Sequence, residues 1–256
     1  VIPRSKEIPM PTPNRQVVLA VRPTAAVDAK TCAVVESEVP DLIDGQALVK
    51  VSHLSIDPTI RTWMDDAPGY LPPIGIGEVI RSGGGGVVVE SRSDRYRVGD
   101  VVTGMVGWQE YAVADEAMGA MAKIPEGIDL AVALNVLGIT GMTAYFGLLE
   151  VGRLTEGDVV VVSGAAGATG SSVGQIAKIK GAGRVVGIAG GPAKCAQLID
   201  ELGFDEAIDY HSENVSRRLH ELCPKGIDLF FDNVGGKILD AALANLAMRG
   251  RVVLCG

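Results

Sequence analysis

The run "VVVVSGAAGATGSSVGQ", Val159–Gln175, decides the fold. Four consecutive valines read as a buried strand, the glycine- and alanine-rich stretch as a tight turn, and the remainder as a helix opening. Ala165, Gly167 and Gly170 occupy the places of a G-x-G-x-x-G fingerprint, with alanine in the first. The order strand, turn, helix is what that fingerprint requires, because a pyrophosphate must meet unpaired N–H groups at a helix N-terminus. Gly167 lets the backbone approach the phosphates, and Gly170 and Gly174 let the helix lie close on the strand. Taken alone, the run also fits a strand-to-helix turn that holds no ligand. A P-loop is excluded, since no Gly-Lys-Ser/Thr follows.

The flanking sequence favours the ligand-binding reading. Downstream, strand and helix alternate: "GRVVGIAG" (183–190), "PAKCAQLIDELG" (192–203), "EAIDY" (206–210), "NVSRRLHELCP" (214–224), "GIDLFFDNVGG" (226–236), "KILDAALANLAMRG" (237–250) and "RVVLCG" (251–256). Continuous apolar strands between helices predict a parallel sheet covered on both faces, a doubly wound α/β fold. Five strands are counted where two mononucleotide-binding halves usually give six. Upstream, "DLAVALNVLGITGMTAYFGLLEVG" (129–152) is predicted helical, with Asp129 as N-cap and breaks at the glycines.

Residues 15 to about 125 read differently. Short runs such as "RQVVLAVRP", "GQALVKVSHLSID", "IGIGEVI", "GVVVESRS" and "DVVTGMVGWQEYAVA" alternate apolar and polar residues between Gly, Pro and Asp. They predict a small antiparallel barrel or sandwich. The "SGGGG" at Ser82–Gly86 is read as a turn or bulge, not a domain boundary. The expected domains are 1–128, a β domain, and 129–256, a Rossmann domain.

The second strand of the α/β half chooses the nucleotide. An NAD site usually carries Asp or Glu about twenty residues past the glycine turn. In "RVVGIAGGPAK" Gly190 and Gly191 stand there instead, and Lys194 follows. With no carboxylate to repel it and an ammonium at hand, a 2′-phosphate fits better, so NADP(H) is expected. A short-chain reductase is excluded, because Tyr210 is followed by "HSEN" and no Tyr-x-x-x-Lys pair comes after the loop. A net charge of -8 argues against nucleic acid and anionic membrane surfaces as partners. No apolar run has spanning length, the opening residues lack a signal-peptide core, and the four cysteines form no CxxC pair. A cytoplasmic location is the expectation.

"DPTIRTWMDDAPGYLPPIGIGEVIRSGGGG", "VGDVVTGMVGWQEYA", "LGITGMTAYFGLLEVG", "AAGATGSSVGQIAKIKG" and "FFDNVGG" together resemble the zinc-independent medium-chain reductases. The nearest branch is that of the prostaglandin reductases, the leukotriene B4 12-hydroxydehydrogenases and the alkenal/one double-bond reductases. The resemblance implies a GroES-like domain plus a Rossmann domain, a homodimer, and an active site in the cleft between the domains. It implies NADPH-dependent reduction of the C=C bond of an α,β-unsaturated ketone or aldehyde, a small enone or enal. By the same resemblance Gly167, Ala168, Thr169 and Gly170 contact the pyrophosphate, and Lys194 and Tyr210 hold the 2′-phosphate. Asn233 and the backbone near Cys255 reach the ribose–nicotinamide side, Thr143 lies near the nicotinamide, and Tyr70 lines the substrate cleft.

Many medium-chain dehydrogenases use zinc, so the zinc positions need their own check. Ser55 and Asp57 in "LSID" stand where the first ligand would be, and "GIGEVI" contains no histidine. Zinc needs three or four convergent N or S ligands, and none is expected here; His53, His211 and His220 read as surface or turn residues. The resemblance further places a tyrosine that serves the enolate oxygen, and a sixth strand, beyond "VVLCG". The 256 residues are therefore expected to be a shortened reductase that binds NADPH but turns over poorly. The alternatives are an NADPH:quinone reductase of the same superfamily and a non-catalytic NADPH-binding module.

Overall fold

The computed structural model describes residues 13–69, 71–119 and 121–256, and the chain divides into two compact units between Leu134 and Asn135. The first unit is built from antiparallel strands. β1 (Pro13–Leu19) pairs with β2 (Cys32–Glu38) as a two-stranded ribbon, from Pro13 opposite Glu38 to Leu19 opposite Cys32. A five-stranded sheet holds β3 (Gln46–Leu54), β4 (Gly83–Ser91), β5 (Val101–Met105), β6 (Tyr111–Asp115) and β7 (Ala122–Lys123) in the order β6-β3-β4-β5-β7. One short helix, α1 (Thr59–Trp63), lies between β3 and β4. Alternation drives the packing: Ala112 and Ala114 of β6 point inward beside Val49, Val88, Val102 and the fully buried Tyr96. The Tyr96 hydroxyl donates to the Met121 carbonyl at 2.9 Å, which satisfies its polar end inside the core.

Two expectations fail in this unit for steric reasons. "IGIGEVI" is not a strand; it turns at Gly77 (φ +84°), and its last residues meet β1 at the Val18–Val79 bridge, where the Ile80 amide donates to the Val17 carbonyl and the Leu19 amide to the Glu78 carbonyl. The glycine run after Ser82 is not a turn, because Gly83–Gly86 form the first half of β4 in the middle of the sheet. A Cβ on Gly86 would strike the Lys50 carbonyl, and one on Gly85 would sit 2.5 Å from the Val102 carbonyl. The expected irregularity appears instead as register shifts of β3 against β4, one of them between Val51 and His53 opposite those glycines. α2 (Leu130–Leu134) ends the unit; Asp129 Oδ1 accepts from the Ala131 amide at 2.8 Å, as an N-cap should.

The second unit opens with α3 (Ile139–Phe146), which runs on into one wide turn at Gly147–Val151. There follow β8 (Val159–Ser163), α4 (Ala168–Ile179), β9 (Arg184–Ala189), α5 (Pro192–Asp200) and β10 (Glu206–Asp209). Then come α6 (Val215–Leu222), β11 (Ile227–Asp232), α7 (Gly236–Leu243) and β12 (Leu246–Leu254). The sheet is parallel, in the order β10-β9-β8-β11-β12. Both faces are covered, which explains the unbroken apolar strands: Val160 and Val162 pack with Leu148 and Val173, while Val161 packs with Leu219 and Ala242. The last helix is shorter than its sequence suggested. "LAMRG" belongs to β12, because Asn245 ends α7 by donating its side-chain amide to the Ala241 carbonyl at 2.8 Å. A left-handed Arg249 (φ +66°) then re-aims the strand, with a register shift against β11.

Candidate dinucleotide-binding site

Strand order reverses between β8 and β11, so their carboxyl ends flank a crevice of the kind where open α/β sheets bind ligands. β8 runs out at Ser163, Gly164 turns the chain at φ +57°, and Gly167 is the N-cap residue of α4. No side chain caps that helix, which leaves its first amides without a side-chain partner. The two fingerprint glycines are used differently. A Cβ on Gly170 would strike the Gly164 carbonyl and lie 2.8 Å from Ala165 Cα, so this glycine seats the helix on its own turn. A Cβ on Gly167 would meet just the Gly164 carbonyl, at 3.2 Å, and would project from an exposed residue. Packing asks less of a glycine at 167 than at 170, and close approach by a phosphate gives a further reason for one there. Ala168 is exposed and Thr169 half-buried at the same helix start. Gly174 makes room for the Phe204 ring and not, as its spacing suggested, for the strand.

Across the crevice, two polar residues that the motif reading passed over organise the strand ends. Ser163 and Asp232 are both fully buried, and the Ser163 hydroxyl donates to Asp232 Oδ1 at 2.7 Å. The same Oδ1 accepts from the amides of Val234 (3.2 Å) and Gly235 (3.0 Å), which shapes the turn after β11. Asn233 is clamped to β8 twice: its amide donates to Ser163 Oγ and its side-chain Nδ2 to the Ser163 carbonyl, each at 2.8 Å. That leaves Asn233 Oδ1 as an acceptor. The Cys255 amide donates to the Asp232 carbonyl at 2.9 Å, so the end of β12 is tied to the same point. Asp232 Oδ2 is buried and has no hydrogen-bond partner among the described residues. The signal in the sequence was a polar residue closing each of two otherwise apolar strands, "VVVVS" and "LFFD".

Lys194 and Tyr210 lie on the two segments that flank the next strand end. β9 stops at Ala189, Gly190 and Gly191 follow, and α5 starts at Pro192 with no side-chain cap and no acid in its first turn. Lys194 occupies the third position of α5, where the helix dipole disfavours a cation unless an anion is bound nearby. A Cβ on Gly190 would sit 2.7 Å from His211 Nε2 and 2.8 Å from Tyr210 Oη. The position of the usual NAD carboxylate is thus already taken by two polar tips. The Asp209 carboxylate is held below its ordinary range chiefly by the Gly191 amide (2.8 Å), then by the His211 amide (3.0 Å), with Ser212 Oγ adding a third donor.

Thr143 is half-buried in α3, outside these three strand ends. On the exposed side of α3 and α4, Leu137, Met142, Phe146 and Ile179 border an apolar groove of about 420 Å³. Tyr70 lies outside the described residues. Among the described residues no three His, Cys, Asp or Glu side chains converge as a metal-holding group, and no helix is long and apolar enough to cross a membrane.

A reversed parallel sheet, a glycine turn onto an uncapped helix, and an acid-free second strand end are the marks of a dinucleotide-binding α/β unit, here joined to a separate β unit. Residues 15–122 match the family model described as the N-terminal domain of oxidoreductase, and residues 168–256 the one described as zinc-binding dehydrogenase. The chain belongs to the zinc-independent medium-chain dehydrogenase/reductases. It is 42% identical to the NADPH-dependent curcumin reductase of Escherichia coli, over 95% of this chain and 70% of the relative. It is 40% identical to the NADP(+)-dependent 2-alkenal reductase of Nicotiana tabacum, over 82% of this chain and 61% of the relative. The crystal structure of CurA from Vibrio vulnificus in complex with NADPH matches with a TM-score of 0.88 and 42% identity, covering 93% of this chain and 70% of that one.

Proposed function

We propose that this chain reduces the C=C bond of α,β-unsaturated ketones or aldehydes with NADPH. The observation that carries the cofactor is Gly190: the space of an NAD-type carboxylate is filled by Tyr210 and His211, with Lys194 close in sequence at an uncapped helix start. Kinship with a 2-alkenal reductase and a curcumin reductase supports the substrate class.

In this reading the backbone of Gly167, Ala168, Thr169 and Gly170 binds the pyrophosphate through the first amides of α4. Lys194 and Tyr210 hold the 2′-phosphate. Asn233, its Nδ2 already spent on Ser163, offers Oδ1 to the ribose–nicotinamide end, and the backbone at Cys255 closes that side. Thr143 contributes its hydroxyl from α3. When bound, NADPH supplies the hydride that adds to the β-carbon of the enone. The chain's own part is binding and orientation: fixed amides and clamped side chains need no reorganisation as the reaction proceeds.

The test is incubation with a simple enone and either NADPH or NADH, following loss of the reduced nicotinamide and identifying the product. Formation of the saturated ketone with a preference for NADPH is expected. An allylic alcohol as product, or turnover of quinones but not enones, would overturn the reading.

A further inference from the structure

We propose that His211 is a specificity-determining residue, its imidazole binding the 2′-phosphate of NADPH beside Lys194 and Tyr210; this rests on the NADPH reading above. Its place in the chain does not single it out, since a histidine in a polar turn is ordinarily a solvated one. Its position argues otherwise. Nε2 of His211 and Oη of Tyr210 converge on one point above Gly190, 2.7 and 2.8 Å from where a Cβ there would be. Neither atom has a hydrogen-bond partner among the described residues. The two rings lie against each other, centroids 4.4 Å apart, so each restricts the other's orientation.

The backbone beneath them is fixed by one carboxylate oxygen. Asp209 Oδ1 accepts from the Gly191 amide and from the His211 amide, which ties the start of α5 to the turn that carries the imidazole. Lys194 and His211 are therefore presented from two elements braced against each other. The acids nearby are already engaged. Asp209 is satisfied by two amides and the Ser212 hydroxyl. Glu213 accepts from the Asp209 amide at 2.9 Å and pairs with Arg218 at 2.7 Å. What is left facing outward at this strand end is donor-rich: an ammonium, a phenol, an imidazole and the uncapped start of α5. A compact phosphate matches that set, whereas the bare ribose hydroxyl of NADH would leave most of it unmatched.

The experiment measures binding by fluorescence titration of the full chain with NADPH, NADH, 2′,5′-ADP and 5′-AMP, for the parent, His211→Ala, His211→Lys and Lys194→Ala. His211→Ala is expected to weaken NADPH and 2′,5′-ADP about tenfold, the scale of one charge-assisted hydrogen bond, with NADH and 5′-AMP changed less than about twofold. His211→Lys should restore most of the loss. An unchanged unfolding midpoint in His211→Ala shows that the turn itself is intact. Equal weakening of NADPH and NADH, or no weakening of either, overturns the role of His211. If the parent itself fails to discriminate NADPH from NADH, the cofactor reading falls with it. If the parent discriminates and Lys194→Ala loses that discrimination while His211→Ala keeps it, the imidazole's role alone is lost.

Discussion

Gly167 and Gly170 stand three residues apart on one turn, yet the structure demands different things of them. At 170 a methyl group would press on the Gly164 carbonyl and Ala165 Cα, backbone atoms that cannot rotate away. Gly170→Ala should therefore cost stability on the scale of overpacking, about 1–3 kcal/mol, and weaken nucleotide binding as a consequence. At 167 the φ of -80° suits any residue, and the one near neighbour is 3.2 Å from the added carbon. Gly167→Ala should fold with a loss of about 1 kcal/mol or less, since alanine is a poorer N-cap residue than glycine, while losing NADPH affinity outright. Unfolding midpoints and NADPH titrations on the two variants separate these outcomes; equal destabilisation in both would refute the division of labour. The one-letter pattern registers both glycines and says nothing of which serves the fold and which the ligand, because that depends on what surrounds a carbon that is not there. The same holds at Gly190. Its lack of an acid is legible, but what stands over it instead, two side chains from the turn after β10, is not.

Among elements, the informative feature is how β8, β11 and β12 are joined where they end. The Ser163 hydroxyl donates to Asp232 and accepts from the Asn233 amide, so removing it leaves a buried carboxylate oxygen and the part-buried Asn233 N–H each short of a partner. Ser163→Ala should lower stability by about 1–3 kcal/mol and raise the Kd for NADPH, because Asn233 loses one of its two ties to β8. Chemical denaturation and NADPH titration check both parts. Ser163→Thr, which keeps the hydroxyl, should recover the affinity; a Ser163→Ala variant with parental stability and affinity would show that the network carries no weight. The strands themselves were legible wherever they are buried on both faces, since "VVVV", "RVVGIA" and "IDLFF" leave no helical alternative of adequate length. Legibility failed where a long-range contact sets the local structure. Gly83–Gly86 are a strand because β3 and β5 crowd them from either side, and their composition alone reads as a turn. "LAMRG" continues a helical pattern, yet pairing of Leu246 with Ile227 and the amide of Asn245 pull it into β12.

At the scale of the whole chain, the question is whether a metal takes part, since one matching family model carries zinc in its description. Seven residues are the natural soft ligands: Cys32, Cys195, Cys223, Cys255 and the three histidines. They are dispersed over both units. Cys32 starts β2 and His53 lies in β3, where its Nδ1 is 3.0 Å from Ser52 Oγ, while Cys195 is in α5 and His220 in α6. Burial raises the Cys32 and Cys195 thiols and pushes Cys223 up to about 11, so each is biased toward the protonated form that binds metal poorly. Proximity and protonation state thus point the same way. Prolonged treatment with a strong chelator, followed by its removal, should leave both the unfolding midpoint and the NADPH-dependent reduction of an enone unchanged. A structural or catalytic zinc would instead show as a loss of one or the other that stoichiometric Zn²⁺ restores, because metal binding free energy is folding free energy at a structural site and generates the electrophile at a catalytic one. Elemental analysis of the purified protein gives the same decision without any assay: zinc near one equivalent per chain would require a ligand set that the described residues do not form.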